Sequence, residues 1–146
     1  MAFEIIPKQG LGLARFGMSP EQIEKIFGTV EVEDSSTPGR MDCYYQNWIN
    51  AGFEDRKLCL IGATRQAVGI TYKGVDIFHS DPLDVLRMLE RDCGKAHYSY
   101  GFVIFVPFGI SLTGFHDGNE DEKAMAIDLP QAWESDTKLK LISFLK

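Results

Sequence analysis

The chain has 146 residues, 45% hydrophobic and 25% charged, with a formal net charge of −6. That size and balance describe one folded domain, not a disordered segment; such a chain buries about 70% of its unfolded surface, so its core needs no metal or disulfide. The acidic charge, with no compact Lys/Arg cluster against it, excludes nucleic acid as the expected partner, and no run approaches the roughly 20 apolar residues of a membrane span.

Met1-Ala2-Phe3-Glu4 lacks the basic start and apolar run of an export signal, which predicts a cytoplasmic protein. Phe3 to Ile6 reads as a short strand stopped by Pro7. Gly10, Gly12 and Gly17 then mark a flexible approach to the first helix. Gly10-Leu11-Gly12 opens like a dinucleotide loop, but Arg15 stands at the third glycine position and the helix that follows is too short to carry a pyrophosphate.

That helix has a full set of start and stop signals. Ser19 is the cap, Pro20 suits the first turn, Gln22 closes a capping box, and Met18 with Ile23 forms a hydrophobic staple. Ile23, Ile26 and Phe27 make the buried stripe, and Gly28 ends the helix after about two turns.

Residues 31–42 read as a polar loop. Cys43 to Asn50, Lys57 to Ala63 and Val68 to Tyr72 follow as short aromatic and β-branched runs, parted by Glu54-Asp55-Arg56 and Thr64-Arg65-Gln66, which predicts antiparallel hairpins. Val75, Ile77 and Phe78 add a short extended piece. A second helix is capped by Asp81, opened by Pro82 and closed by Gly94, with Val85, Leu86, Met88 and Leu89 as its apolar face. Tyr98 to Val106, Gly109 to His116 and Lys123 to Leu129 return to strand, with Asp117-Gly118-Asn119 as a turn. From Gln131 the tail is ambiguous. Ser135 or Asp136 as cap with Leu139, Ile142 and Leu145 favours helix, while Lys138-Leu139-Lys140-Leu141 alternates like a strand.

The order cap, Pro, apolar stripe, Gly thus occurs twice, and each time strands follow. Ala51-Gly52-Phe53-Glu54-Asp55 has a counterpart in Thr113-Gly114-Phe115-His116-Asp117. The expected architecture is therefore α+β within a single domain, residues 1–146: an antiparallel sheet with helices packed on one face, built as a tandem duplication of units near 16–78 and 79–130, with a C-terminal segment 131–146.

The run Gly17-Met18-Ser19-Pro20-Glu21-Gln22-Ile23, closing on Phe27-Gly28, resembles the helix opening of small bacterial helix-then-strands binding modules. These are the modules of β-lactamase inhibitor protein, which has two in tandem, of outer-membrane assembly lipoproteins and of small immunity proteins. Two departures are expected to matter: the opening residues do not read as an export signal or lipid-attachment site, and Thr29 stands where such modules often have a residue just before proline. The resemblance implies a non-catalytic binding fold with helices on one sheet face and the other face free.

Little in the residues points to catalysis or metal. Cys43, Cys59 and Cys93 are odd in number and widely spaced, as reduced thiols are. Asp117, Asn119 and Asp121 match the first three ligand positions of a calcium loop, but Glu122 replaces its glycine, Asp128 its last glutamate, and strands replace its helices. His79, His97 and His116 have no helical metal-ligand spacing. Cys59 beside His79 or His116 would make a thiol catalyst only through tertiary geometry. No metal and no cofactor is expected.

The aromatics carry the functional expectation. Along Tyr44 to Asn50 one strand face holds Tyr44, Gln46, Trp48 and Asn50, too polar for a core and too aromatic for plain solvent. Ser111, Thr113 and Phe115 fall together on the next unit by the same alternation. Tyr44, Gln46, Trp48, Ser111, Thr113 and Phe115 are thus the expected contact surface for another protein, with Trp48 and Phe115 partly exposed. The leading expectation is a non-catalytic bacterial binding protein of the immunity or inhibitor type, its acidic charge matched to a basic partner. Its rivals are a small enzyme or small-ligand protein with a cleft between the units, and a structural homodimer.

Overall fold

The computed structural model describes residues 2–133, 136 and 138–145. It is α+β, with two helices and mainly antiparallel strands. In chain order come β1 (Phe3–Ile6), β2 (Gly10–Leu11), β3 (Ala14–Arg15), α1 (Pro20–Phe27), β4 (Val30–Asp34), β5 (Arg40–Tyr45), β6 (Ile49–Glu54), β7 (Lys57–Thr64), β8 (Ile70–Tyr72) and β9 (Val75–Asp76). Then follow α2 (Pro82–Cys93), β10 (Ala96–Ser99), β11 (Phe102–Phe105), β12 (Ile110–Thr113), β13 (Ala124–Asp128) and β14 (Lys140–Ile142).

α1 begins as its sequence dictates. The Ser19 hydroxyl accepts from the Gln22 amide, and the Gln22 side chain accepts from the Ser19 amide at 2.9 Å. α2 is capped by Asp81, whose carboxylate accepts from the Asp84 amide at 3.1 Å, and it closes on Gly94 in the left-handed conformation. Ile23 and Phe27 of α1 and Val85, Leu86 and Leu89 of α2 join one buried cluster with Ile5, Ile61, Ile110 and Ile127. Phe27 meets both Phe3 and Tyr45 edge-on, with ring centroids 5.6 and 5.5 Å apart.

Nine strands form the main sheet, in the order β14-β10-β11-β12-β13-β7-β6-β5-β4. After α1 the chain meanders through β4, β5, β6 and β7; after α2 it meanders through β10, β11, β12 and β13. The last strands of the two meanders, β7 and β13, pair antiparallel with Gly62 opposite Ala126. One cross-strand row, Phe105-Ile110-Ile127-Ile61-Ala51-Cys43, is buried throughout and faces the core. The adjacent row points the other way: Ile104, Ser111, Ala126, Gly62, Asn50, Tyr44 and Val32. This second row marks the face away from the core, here the back face.

The N-terminal segment is more ordered than the glycines suggested. β3-β2-β1-β8-β9 forms a separate five-stranded sheet in which β1 runs parallel to β8. Its pairing is held at the margin by Glu4, whose carboxylate accepts from the Thr71 hydroxyl and the Lys73 amide. No local pattern signals this sheet, because β1 and β8 lie more than sixty residues apart in sequence and meet only through the fold.

Three further expectations change. The polar stretch 31–42 is partly strand, forming β4 and the start of β5. The run Cys43 to Asn50 is not one strand but the hairpin of β5 and β6, turning at residues 46–48; Tyr98 to Val106 likewise turns at Tyr100-Gly101. The C-terminal helix gives way to β14, which pairs antiparallel with β10, Ala96 opposite Ile142. The exposed edge of β10 offers a ladder, and α2 secures the end of the strand: the Glu90 carboxylate accepts from the Ser143 hydroxyl and the Phe144 amide, both at 2.7 Å, and Arg87 donates to the Phe144 carbonyl at 3.0 Å. Ser135, one of the two caps considered for that helix, lies outside the described residues.

Candidate functional site

The back face divides in two. Over β10 and β11 the C-terminal segment lies across it: Trp133 packs against Phe102 with ring centroids 6.3 Å apart, and the Ser99 hydroxyl donates to Asp136 at 3.5 Å. Ile104 is buried there, as is Ser111 opposite it on β12. Over β4–β7 the described residues leave the face open.

The open half carries the largest exposed aromatics of the main sheet's first meander, Trp48 at 57% and Tyr44 at 47% exposure. They line a groove of about 270 Å³ together with Glu31, Tyr45, Gln46, Ile49, Asn50 and Thr64. Each position has a local cause. Tyr44 is a back-face residue of β5, opposite Asn50 of β6. The Asn50 side chain folds across β7 at Gly62, where any Cβ would collide with its amide oxygen. Glu31 enters through a β-bulge: the register steps from Val30 opposite Tyr45 to Val32 opposite Tyr44, so Glu31 is the extra residue and its side chain is re-aimed.

Trp48 occupies a left-handed backbone conformation, φ 64°. A bulky side chain there costs about 1–2 kcal/mol relative to ordinary backbone. The tight turn of residues 46–48 imposes that geometry, yet a tryptophan, mostly in solvent, fills the position that glycine or asparagine would hold without strain.

Toward the start of β5, on the same face, lies a polar cluster. Arg40 bonds Asp42 at 2.9 Å and Glu54 at 3.4 Å and stretches over Gly52, whose missing side chain makes room for the guanidinium. Cys59 contacts Arg40 at 3.6 Å and donates to the Gly52 carbonyl at 3.5 Å; burial, first of all, holds its thiol above the usual range. Among the described residues its hydrogen-bond partners are Arg40 and the Gly52 backbone, and no imidazole is bonded to it. On β13, burial pushes the Asp128 carboxyl up to about 6, against the pull of Arg40.

The six expected contact residues do not form one surface. Tyr44, Gln46 and Trp48 are exposed and share the groove. Ser111 is buried on the covered half. Thr113 is half-buried and donates to the Glu122 carbonyl at 2.8 Å. Phe115 is 3% exposed, in the core, 5.9 Å from the Phe78 ring and 5.1 Å from the Lys123 ammonium. Strict alternation placed Phe115 beside Thr113, but Gly114, at φ 79°, breaks the strand and turns the next side chain inward. The paired phrases around Gly52 and Gly114 are for the same reason out of register: Ala51 faces the core and Thr113 does not. Glu31, Asn50 and Thr64 were missed as groove residues; only the bulge and the hairpin bring them there.

Other candidate chemistry does not assemble. Asp117 accepts from the Asn119 amide at 3.2 Å, Asp121 pairs with Arg65 at 3.4 Å and Glu120 with Lys123 at 2.6 Å, so these carboxylates do not converge on one ion. Among the described residues no group of three or more His, Cys, Asp or Glu is placed to hold a metal. His79 bonds Asp76, His116 stacks edge-on with Tyr98, and His97 lies opposite Ile104. No described helix is long and apolar enough to cross a membrane.

Comparison with family models, with curated proteins and with solved structures finds no match to the chain.

Proposed function

We propose that this chain is a non-catalytic bacterial binding protein of the immunity or inhibitor type, and that it engages a basic protein partner through the open back face around Trp48. The observation that carries this reading is Trp48 itself: a large aromatic, 57% exposed, held in a strained turn over a groove shared with Tyr44. Exposed aromatics among neutral polar groups are the anchors of protein interfaces. The net charge of −6 favours a basic partner by steering and complementarity.

The fold supports the same reading. Each helix is followed by a four-stranded meander, and the two meanders meet at their last strands. We read this as a diverged duplication, with both helices covering one sheet face and the other left for the partner, as in the helix-then-strands modules that the Ser19-Pro20 run resembles. A cytoplasmic setting accords with the three free thiols.

The test is binding of the product of a neighbouring toxin-like gene, measured by calorimetry with the wild type and Trp48→Ala. The expected loss is about 2 kcal/mol, near thirtyfold in affinity, with little change in stability. Equal affinity for both proteins removes Trp48 from the interface. A tightly held metabolite in the purified protein favours the small-ligand alternative, and a stable dimer favours the structural one.

A further inference from the structure

We infer that the Trp48 groove is a receptor for a single arginine side chain presented by the partner; this rests on the protein-binding reading and names what the site recognises. Four features of the groove point to a guanidinium. Tyr44 and Trp48 line the groove, and aromatic rings attract cations and stack on the flat guanidinium. Glu31 supplies one carboxylate, delivered by the bulge in β4, and no ion pair to it occurs among the described residues. Asn50 and Thr64 supply neutral oxygen acceptors for the remaining N–H groups. The volume, about 270 Å³, has room for one long side chain.

The charge around the groove is complementary as well. Thr64 lies opposite Ala124, where β13 leaves a turn whose Asp117 and Glu122 add negative charge, while its Asp121 and Glu120 are paired with Arg65 and Lys123. At the groove's other margin, edge strand β4 runs Val30-Glu31-Val32-Glu33-Asp34. The same acidic edge opposes strand pairing with a second copy of itself. Elsewhere the chain provides its own cation for an exposed aromatic: the Lys138 ammonium lies 5.5 Å over the Tyr100 ring. No such intramolecular cation is found over Tyr44 or Trp48 among the described residues.

The experiment titrates the full chain with N-acetyl-arginine methylamide and, separately, with the citrulline analogue, which keeps the shape and loses the charge. The readout is the Trp48 indole N–H signal in a two-dimensional NMR spectrum, assigned with Trp48→Phe. The arginine probe is expected to shift this signal saturably at millimolar concentration, the citrulline probe about tenfold more weakly, and added salt should weaken only the former. Glu31→Gln, an exposed substitution that leaves the spectrum folded, should bring the arginine affinity down to that of citrulline. No shift with arginine, equal response to both probes, or an unchanged arginine affinity in Glu31→Gln each overturns the inference. Because the probes need no protein partner, their binding stands or falls apart from the thirtyfold partner test.

Discussion

Glu90, in α2, is only 6% exposed and takes the backbone amide of Phe144 onto one carboxylate oxygen at 2.7 Å. Its other oxygen takes the Ser143 hydroxyl. A helix that was legible from its caps and stripe therefore anchors a terminal strand that was not. Charge-assisted bonds to a carboxylate contribute about 1.5–3 kcal/mol each when their loss leaves a buried donor unpaired. Glu90→Ala is expected to cost about 2 kcal/mol in urea unfolding and to raise amide exchange selectively at Lys140–Ile142. Unchanged exchange there would mean that pairing with β10 alone holds the strand.

The capping box makes a local prediction. α1 is only eight residues long, so the bonds between Ser19 and Gln22 are a large share of what starts it. Ser19→Ala should cost about 1 kcal/mol. A denaturant titration that shows no loss would mean that packing of Ile23 and Phe27 suffices.

Trp48 separates stability from binding. Its left-handed backbone is strained, and its side chain, mostly in solvent, returns little burial. Trp48→Gly is expected to be as stable as the wild type or more stable by about 1 kcal/mol, read as the melting temperature, while partner affinity falls. A clear fall in melting temperature would show that the indole is part of the packed structure.

Phe115 should behave in the opposite way. It is enclosed by Phe78 and the Lys123 side chain, whose ammonium donates to the Phe78 carbonyl at 3.1 Å. Phe115→Ala should cost about 3 kcal/mol by chemical denaturation and leave the Trp48 groove unaltered.

Asp128 sets a pH dependence of known sign. Its folded pKa, about 6, lies above the ordinary carboxylate value, so folding favours the protonated form. Its contribution is fully present below about pH 4 and is lost as pH rises through about 6. Glu4 and Asp92, held low by their hydrogen bonds, act in reverse at lower pH. Asp128→Asn should therefore stabilise the protein at pH 7.5, by about 1 kcal/mol once the partial exposure of the site is allowed for, and have no effect near pH 4. A pH-independent difference between the two proteins would remove desolvation of Asp128 as the cause.

What the sequence determined by itself was whatever depends on neighbours in the chain. Ser19, Gln22 and Gly28 bound one helix, Asp81 and Gly94 the other, because caps act within a single turn. The α+β class followed from the switch between two hydrophobic periods, and Tyr44 and Trp48 stood out because their company is polar. What only the tertiary structure decided depends on distant partners. The parallel pairing of β1 with β8, the addition of β14 to β10 and the packing of Trp133 on Phe102 all join residues far apart in sequence. Strand faces were lost wherever backbone geometry broke the twofold alternation: at Gly114, which sent Phe115 into the core, and at the bulge around Glu31, which brought a carboxylate into the aromatic groove. Side-chain pattern tells which residues share a face only while the backbone stays regular, and the groove is built where it does not.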